Sequence, residues 1–128
     1  MTSVEIPFSI AAALPTLSVV DITNEVNREV GSAETESGIA YISAGDARSL
    51  IRVNERESGF FVDLECLLER LLPPFTRDRE RMLAMLLGPR TEQVPFREGR
   101  LCLGRWQRVL LVSFDETPVP DWSVTVLG

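Results

Sequence analysis

Residues 46–55 read Asp-Ala-Arg-Ser-Leu-Ile-Arg-Val-Asn-Glu. In a strand, side chains alternate between faces, so Asp46, Arg48, Leu50, Arg52 and Asn54 share one side and Ala47, Ser49, Ile51 and Val53 the other. By composition the second side is the core. The first carries one carboxylate and two guanidiniums, with Glu55 next in line. A guanidinium keeps its proton and presents a planar fork that suits a carboxylate or a phosphate. Three outcomes are open: the arginines pair with Asp46, Glu55 and other carboxylates, the cleft is wet, or a bound anion completes the charge.

Other chemistries are absent by residue type. The chain has no histidine, so it has no imidazole base, no serine–histidine or cysteine–histidine nucleophile and no histidine metal ligand. It has no lysine either: all 13 basic residues are arginine. That removes a Schiff-base amine and a phosphate-loop lysine, and it reads as the signature of a GC-rich or thermophilic genome. Cys66 and Cys102 lie far apart with no Cys-x-x-Cys spacing, so no zinc site is expected and both are read as small buried hydrophobes. No cofactor is expected. Asp63, Glu65 and Glu69 are read as the solvated face of a helix, and no carboxylate pair has the apolar isolation that general acid–base work needs.

These residues need elements to hold them. The first strand is expected over Glu5–Ile10 and the second over Thr16–Val20. A helix follows, with Ile22, Val26 and Val30 on one face and Asp21 or Thr23 as its cap. Strands are expected at Ile39–Ser43 and Arg48–Val53. The clearest helix is Phe60–Leu72, stopped by Pro73-Pro74. A charged turn, Arg77–Arg81, leads into a short helix that ends at Gly88-Pro89. The remainder reads as strands at Gln93–Phe96, Arg100–Leu103, Arg108–Phe114 and Trp122–Leu127, with a turn at Glu98-Gly99 and a last loop at Asp115–Asp121. The result is one α+β domain over residues 1–128, mainly antiparallel, with about three helices.

Size and charge agree with that. At 128 residues, 45% hydrophobic and 25% charged, the chain can bury a single core unaided. A net charge of −6 argues against nucleic acid, and no apolar run approaches a membrane span. A cytoplasmic protein is expected.

The pieces Leu86-Leu87-Gly88-Pro89, Gln93-Val94-Pro95-Phe96, Gly99-Arg100-Leu101, Leu103-Gly104, Trp106-Gln107 and Phe114-Asp115 come in an order that resembles the C-terminal half of the YjbQ family. Upstream, Asp21-Ile22-Thr23 with Glu25-Val26 resembles the family's first helix, and Asn54-Glu55 its asparagine–glutamate after the central strand. The resemblance covers nearly the full chain. It implies a sandwich- or barrel-like β scaffold, a homotrimer with its site near subunit boundaries, and an activity of the secondary thiamine-phosphate synthase kind.

The departures fall on the chemistry. Family members carry three histidines at a metal or anion site. The resemblance puts the first at Asp46 and the third at Arg81; the second belongs to a loop that is shortened here to Phe75–Asp78. The threonine of the tryptophan motif is Arg105. Asn54, Glu55, Gly104, Trp106 and Gln107 match. Trp106 is expected as a core or interface anchor, or as a ligand contact beside Gln107. The candidate face is therefore Asp46, Arg48, Arg52, Asn54, Glu55, Arg81, Trp106 and Gln107, with no metal. Two functions stand: a catalytically degenerate homotrimer with a structural or regulatory role, or an enzyme or binder that takes phosphate, or another small anion of a phosphorylated molecule, through arginines.

Overall fold

The computed structural model describes residues 10–114 and 121–128. The strand expected over Glu5–Ile10 and the loop expected at Asp115–Asp121 lie outside them, apart from Ile10 and Asp121. Eleven elements follow one another: β1 (Ile10–Leu14), β2 (Leu17–Asp21), α1 (Thr23–Gly31), β3 (Gly38–Ala44), β4 (Ser49–Glu55), α2 (Ser58–Leu71), α3 (Arg79–Leu87), β5 (Thr91–Arg97), β6 (Arg100–Leu101), β7 (Gln107–Ser113) and β8 (Trp122–Leu127). They form two four-stranded sheets, ordered β1-β2-β7-β4 and β6-β5-β3-β8, antiparallel throughout. The fold is α+β.

The first sheet is a shared wall. Ile51, Val109 and Leu111 on one of its faces meet Ala40, Ile42, Val94 and Phe96 of the second sheet, with α1 adding Ile22, Val26 and Val30. Leu50, Leu110 and Val112 on its other face meet Phe61 and Leu68 of α2 and Leu83 and Ala84 of α3. The division of β4 into a core face and a solvent face therefore fails, because Leu50 and Ile51 are both buried. A strand packed on both faces reads as a continuous apolar run. Val109-Leu110-Leu111-Val112 in β7 is such a run, and all four residues are buried.

Local signals explain the connections. Glu98 and Gly99 both take positive φ, 54° and 73°, as the two-residue turn joining β5 to β6 requires. Glu57 starts α2 by accepting hydrogen bonds from the Gly59 and Phe60 amides at 2.8 and 2.7 Å. Asp21, one residue before the cap position of α1, accepts from the Thr23 amide at 3.0 Å.

Three expectations of burial or exposure are reversed, at Cys66, Cys102 and Glu65. Cys66 and Cys102 are free and exposed: Cys66 points away from the packed side of α2, and Cys102 lies beyond the end of β6. Glu65, read as solvated, is buried, and its Oε2 accepts from the amide and hydroxyl of Thr16 at 2.7 and 2.9 Å. That contact lies 49 positions away in sequence, beyond the reach of helical periodicity. Trp106, expected as a core or interface anchor or as a ligand contact, is 65% exposed, which removes only the core role; the Arg105 guanidinium lies 5.1 Å from its ring centroid.

Candidate functional site

A cavity of about 480 Å³ opens where the β3–β4 turn meets α3. Asp46, Ser49, Asp78, Arg81, Met85 and Arg90 line it. The turn is held by Asp46 itself, whose Oδ1 accepts from the Arg48 amide at 2.7 Å and from Arg48 Nε at 3.4 Å. Both side chains stay well exposed, so the pair is worth about 0–1 kcal/mol. Arg90 is fixed differently: its Nε donates to the Ala44 carbonyl at 2.8 Å, while its own carbonyl accepts from the Ala44 amide at 2.9 Å. The Arg81 guanidinium makes no hydrogen bond or ion pair among the described residues.

The other candidates lie elsewhere. Arg52 and Asn54 line a second cavity of about 350 Å³ between β4 and α2, whose walls are otherwise mostly Leu, Val and Phe. Asn54 Nδ2 donates to the Glu55 carbonyl at 3.3 Å. Glu55 stands opposite Gln107 in the β4–β7 ladder. Gln107 closes its own turn, its Oε1 accepting from the Gly104 amide at 2.6 Å and its amide donating to the Gly104 carbonyl at 3.1 Å. A Cβ on Gly104 would meet that Oε1 at 2.9 Å, so glycine fits the turn closely. β4 alone, Ser49–Glu55, rises about 3.3 Å per residue and so carries Glu55 about 20 Å from the turn that holds Asp46. One small molecule cannot touch the whole face. The structure brings Asp46 and Arg81 to one cavity with Arg48 bonded to its rim, puts Arg52 and Asn54 at a second, and leaves Glu55, Trp106 and Gln107 at the far end of the sheet.

Two cavity residues escaped the sequence reading. Arg90 follows a helix-stop signal and lacked any pattern of its own. Asp78 lay in the charged turn Arg77–Arg81 and ends the loop Phe75–Asp78 to which the resemblance assigns the family's second histidine, the one signal that could have found it; it adopts φ 56° at the start of α3.

The donor set decides what the first cavity can hold. Two carboxylates face two guanidiniums, and the Asp46 oxygen is engaged by Arg48. Such a set opposes a divalent cation, which needs several free oxygens or soft ligands. Among the described residues no cluster of three or more histidine, cysteine, aspartate or glutamate side chains could hold a metal. The residues therefore do not fit a metal.

Known proteins place this arrangement in context. The sequence model of the family described as UPF0047 protein YjbQ-like matches residues 12–128. The chain belongs to the YjbQ family. A UPF0047 protein of Archaeoglobus fulgidus is 32% identical over 108 residues, covering 77% of this chain and 82% of that protein. A YbjQ-like protein of unknown function from Sulfolobus solfataricus superposes with a TM-score of 0.76 at 28% identity, covering 88% of each chain. A hypothetical protein from Aeropyrum pernix superposes with a TM-score of 0.78 at 24% identity, covering 88% of this chain and 90% of that one, which supports the shared fold alone. No helix among the described residues is long and apolar enough to cross a membrane.

Proposed function

We propose that this YjbQ-family chain is a catalytically silent, cytoplasmic homotrimer with a structural or regulatory role. One observation carries the reading. At the position where the resemblance puts a family histidine, Asp46 turns its carboxylate onto the Arg48 amide and guanidinium of its own turn. A carboxylate so engaged, beside two arginines, is neither a free base nor a metal ligand. The test has two parts. Calorimetric titration with zinc, nickel and manganese is expected to show no stoichiometric binding tighter than about a micromolar Kd, which corresponds to roughly 8 kcal/mol. Incubation with thiamine and phosphate donors is expected to yield no thiamine phosphate. Tight metal binding or turnover overturns the proposal.

A second reading rests on Arg81. It lines the cavity without a partner among the described residues, and Arg90 beside it is already oriented by Ala44. Two such forks suit a phosphate ester. If this reading holds, inorganic phosphate or thiamine monophosphate raises the melting temperature of the native protein, and Arg81→Gln abolishes the rise. The absence of any rise in the native protein removes this reading.

A further inference from the structure

Helix α2 buries one side and leaves another uncovered by the described residues. Phe61 and Leu68 fill the core, each 2% exposed. Beside them Phe60, Leu64, Leu67 and Leu71 form a second apolar stripe, spaced four, three and four residues apart. Phe60, Leu67 and Leu71 remain 48%, 59% and 58% exposed, and Leu64 is half-buried. The Phe60 ring is held edge-on against Phe61, with centroids 5.6 Å apart, so the stripe is ordered at that end. Exposed leucines occur singly on many surfaces, but a continuous stripe on one helix marks a contact site. The four-three-four spacing is that of a helix seam receiving another helix.

The charges at the edge of the stripe name the occupant. Asp63 and Arg70 lie on its outer flank two helical turns apart, and neither has an ion-pair or hydrogen-bond partner among the described residues. We propose that α2 pairs antiparallel with α2 of a second copy of this chain, about a two-fold axis between Leu64 and Leu67. That axis stacks Phe60 on the partner's Leu71 and Leu64 on the partner's Leu67. It also sets Asp63 beside the partner's Arg70, and by symmetry Arg70 beside the partner's Asp63. A parallel pair would carry Asp63 toward the flank occupied by the partner's Leu68, where no charge answers it. The self-complementary arrangement is the isologous contact that a two-fold dimer requires. This goes beyond the homotrimer proposed above: with the three-fold contact on another face, the α2 pairing joins two such trimers into a hexamer, and a lone trimer keeps that reading while overturning this one.

The experiment is light scattering of the full chain in reducing buffer, which keeps the exposed Cys66 from cross-linking copies. The expected mass is an even multiple of the 14.3 kDa protomer. Leu67→Glu, at an exposed position that the fold tolerates, halves it while circular dichroism stays unchanged. Asp63→Arg and Arg70→Asp each set like charges against each other twice and weaken the pairing by about tenfold. The double variant, Asp63→Arg with Arg70→Asp, restores the native mass. A native mass that is odd in protomers, a mass unmoved by Leu67→Glu, or a double variant no better than its parents overturns the proposal. Halving is read independently of the starting number, so a chain that pairs without forming trimers keeps this inference and loses only the trimer.

Discussion

Two aspartate–arginine sites stand out among the described residues, and they do opposite things. At the first, Asp21 has a side chain only 2% exposed; it accepts from Arg108 Nε at 2.7 Å and lies 3.6 Å from Arg56. It also accepts from the Thr23 amide and hydroxyl, and the same hydroxyl accepts from the Val109 amide at 2.7 Å. One carboxylate thereby ties β2, α1, β7 and the segment after β4 together. At the second, Asp46 and Arg48 are neighbours in one turn, 38% and 46% exposed and 3.4 Å apart. Equal chemistry gives unequal consequence, because burial removes the competition of water at one site and leaves it at the other.

The comparison can be broken in order of expected effect. Arg108→Met leaves the buried Asp21 carboxylate with the Thr23 amide and hydroxyl and only the more distant Arg56 as a cation, and should cost about 3 kcal/mol in chemical denaturation, the low end for breaking a buried pair. A loss below about 1 kcal/mol would mean that Asp21 reaches solvent. Thr23→Val keeps the shape but removes the hydroxyl that serves Asp21 and Val109, with an expected loss of about 1–3 kcal/mol. A double-mutant cycle of Asp46→Asn with Arg48→Gln should give a coupling of at most about 1 kcal/mol, fading with added salt. The corresponding cycle of Asp46 with Arg81 tests whether sharing a cavity amounts to an interaction. Because Asp46 is engaged by Arg48, its coupling should be smaller still, within about 0.5 kcal/mol of zero.

The sequence reading followed locality. The α1 stripe Ile22, Val26 and Val30 was legible because a helix repeats within eight residues, and all three are buried. The Glu98-Gly99 turn and the proline stop after α2 are signals of the same short range. β1 was not legible, since Ala11-Ala12-Ala13 carries no β-branched or aromatic residue. Of the site, the alternation of Leu50, Arg52 and Asn54 along β4 was legible, but Asp46 and Arg48 fall in the turn before the strand and do not continue it. The division of these residues between two cavities was not legible, since it depends on where α2 and α3 cover β4. Asp21 was legible only as a helix cap. Its tie to Arg108 spans 87 positions, and no periodicity reports a contact of that length.

The shared wall bears on how the chain comes together as it is made. β7 pairs with β2 on one side and β4 on the other, and its alternate residues belong to the two cores. Synthesis from the N-terminus delivers all three helices and β1 through β6 before Gln107–Ser113 leaves the ribosome. Until then β2 and β4 have no bridge between them, and the apolar residues of both cores face water together. Neither core can close before this stretch, so the nascent chain gains little by starting early. A pause or a bound chaperone just before it would hold the whole domain open. Its release would let the core under α2 and α3 close first, since the core between the sheets still lacks β8, which follows in sequence and pairs with β3.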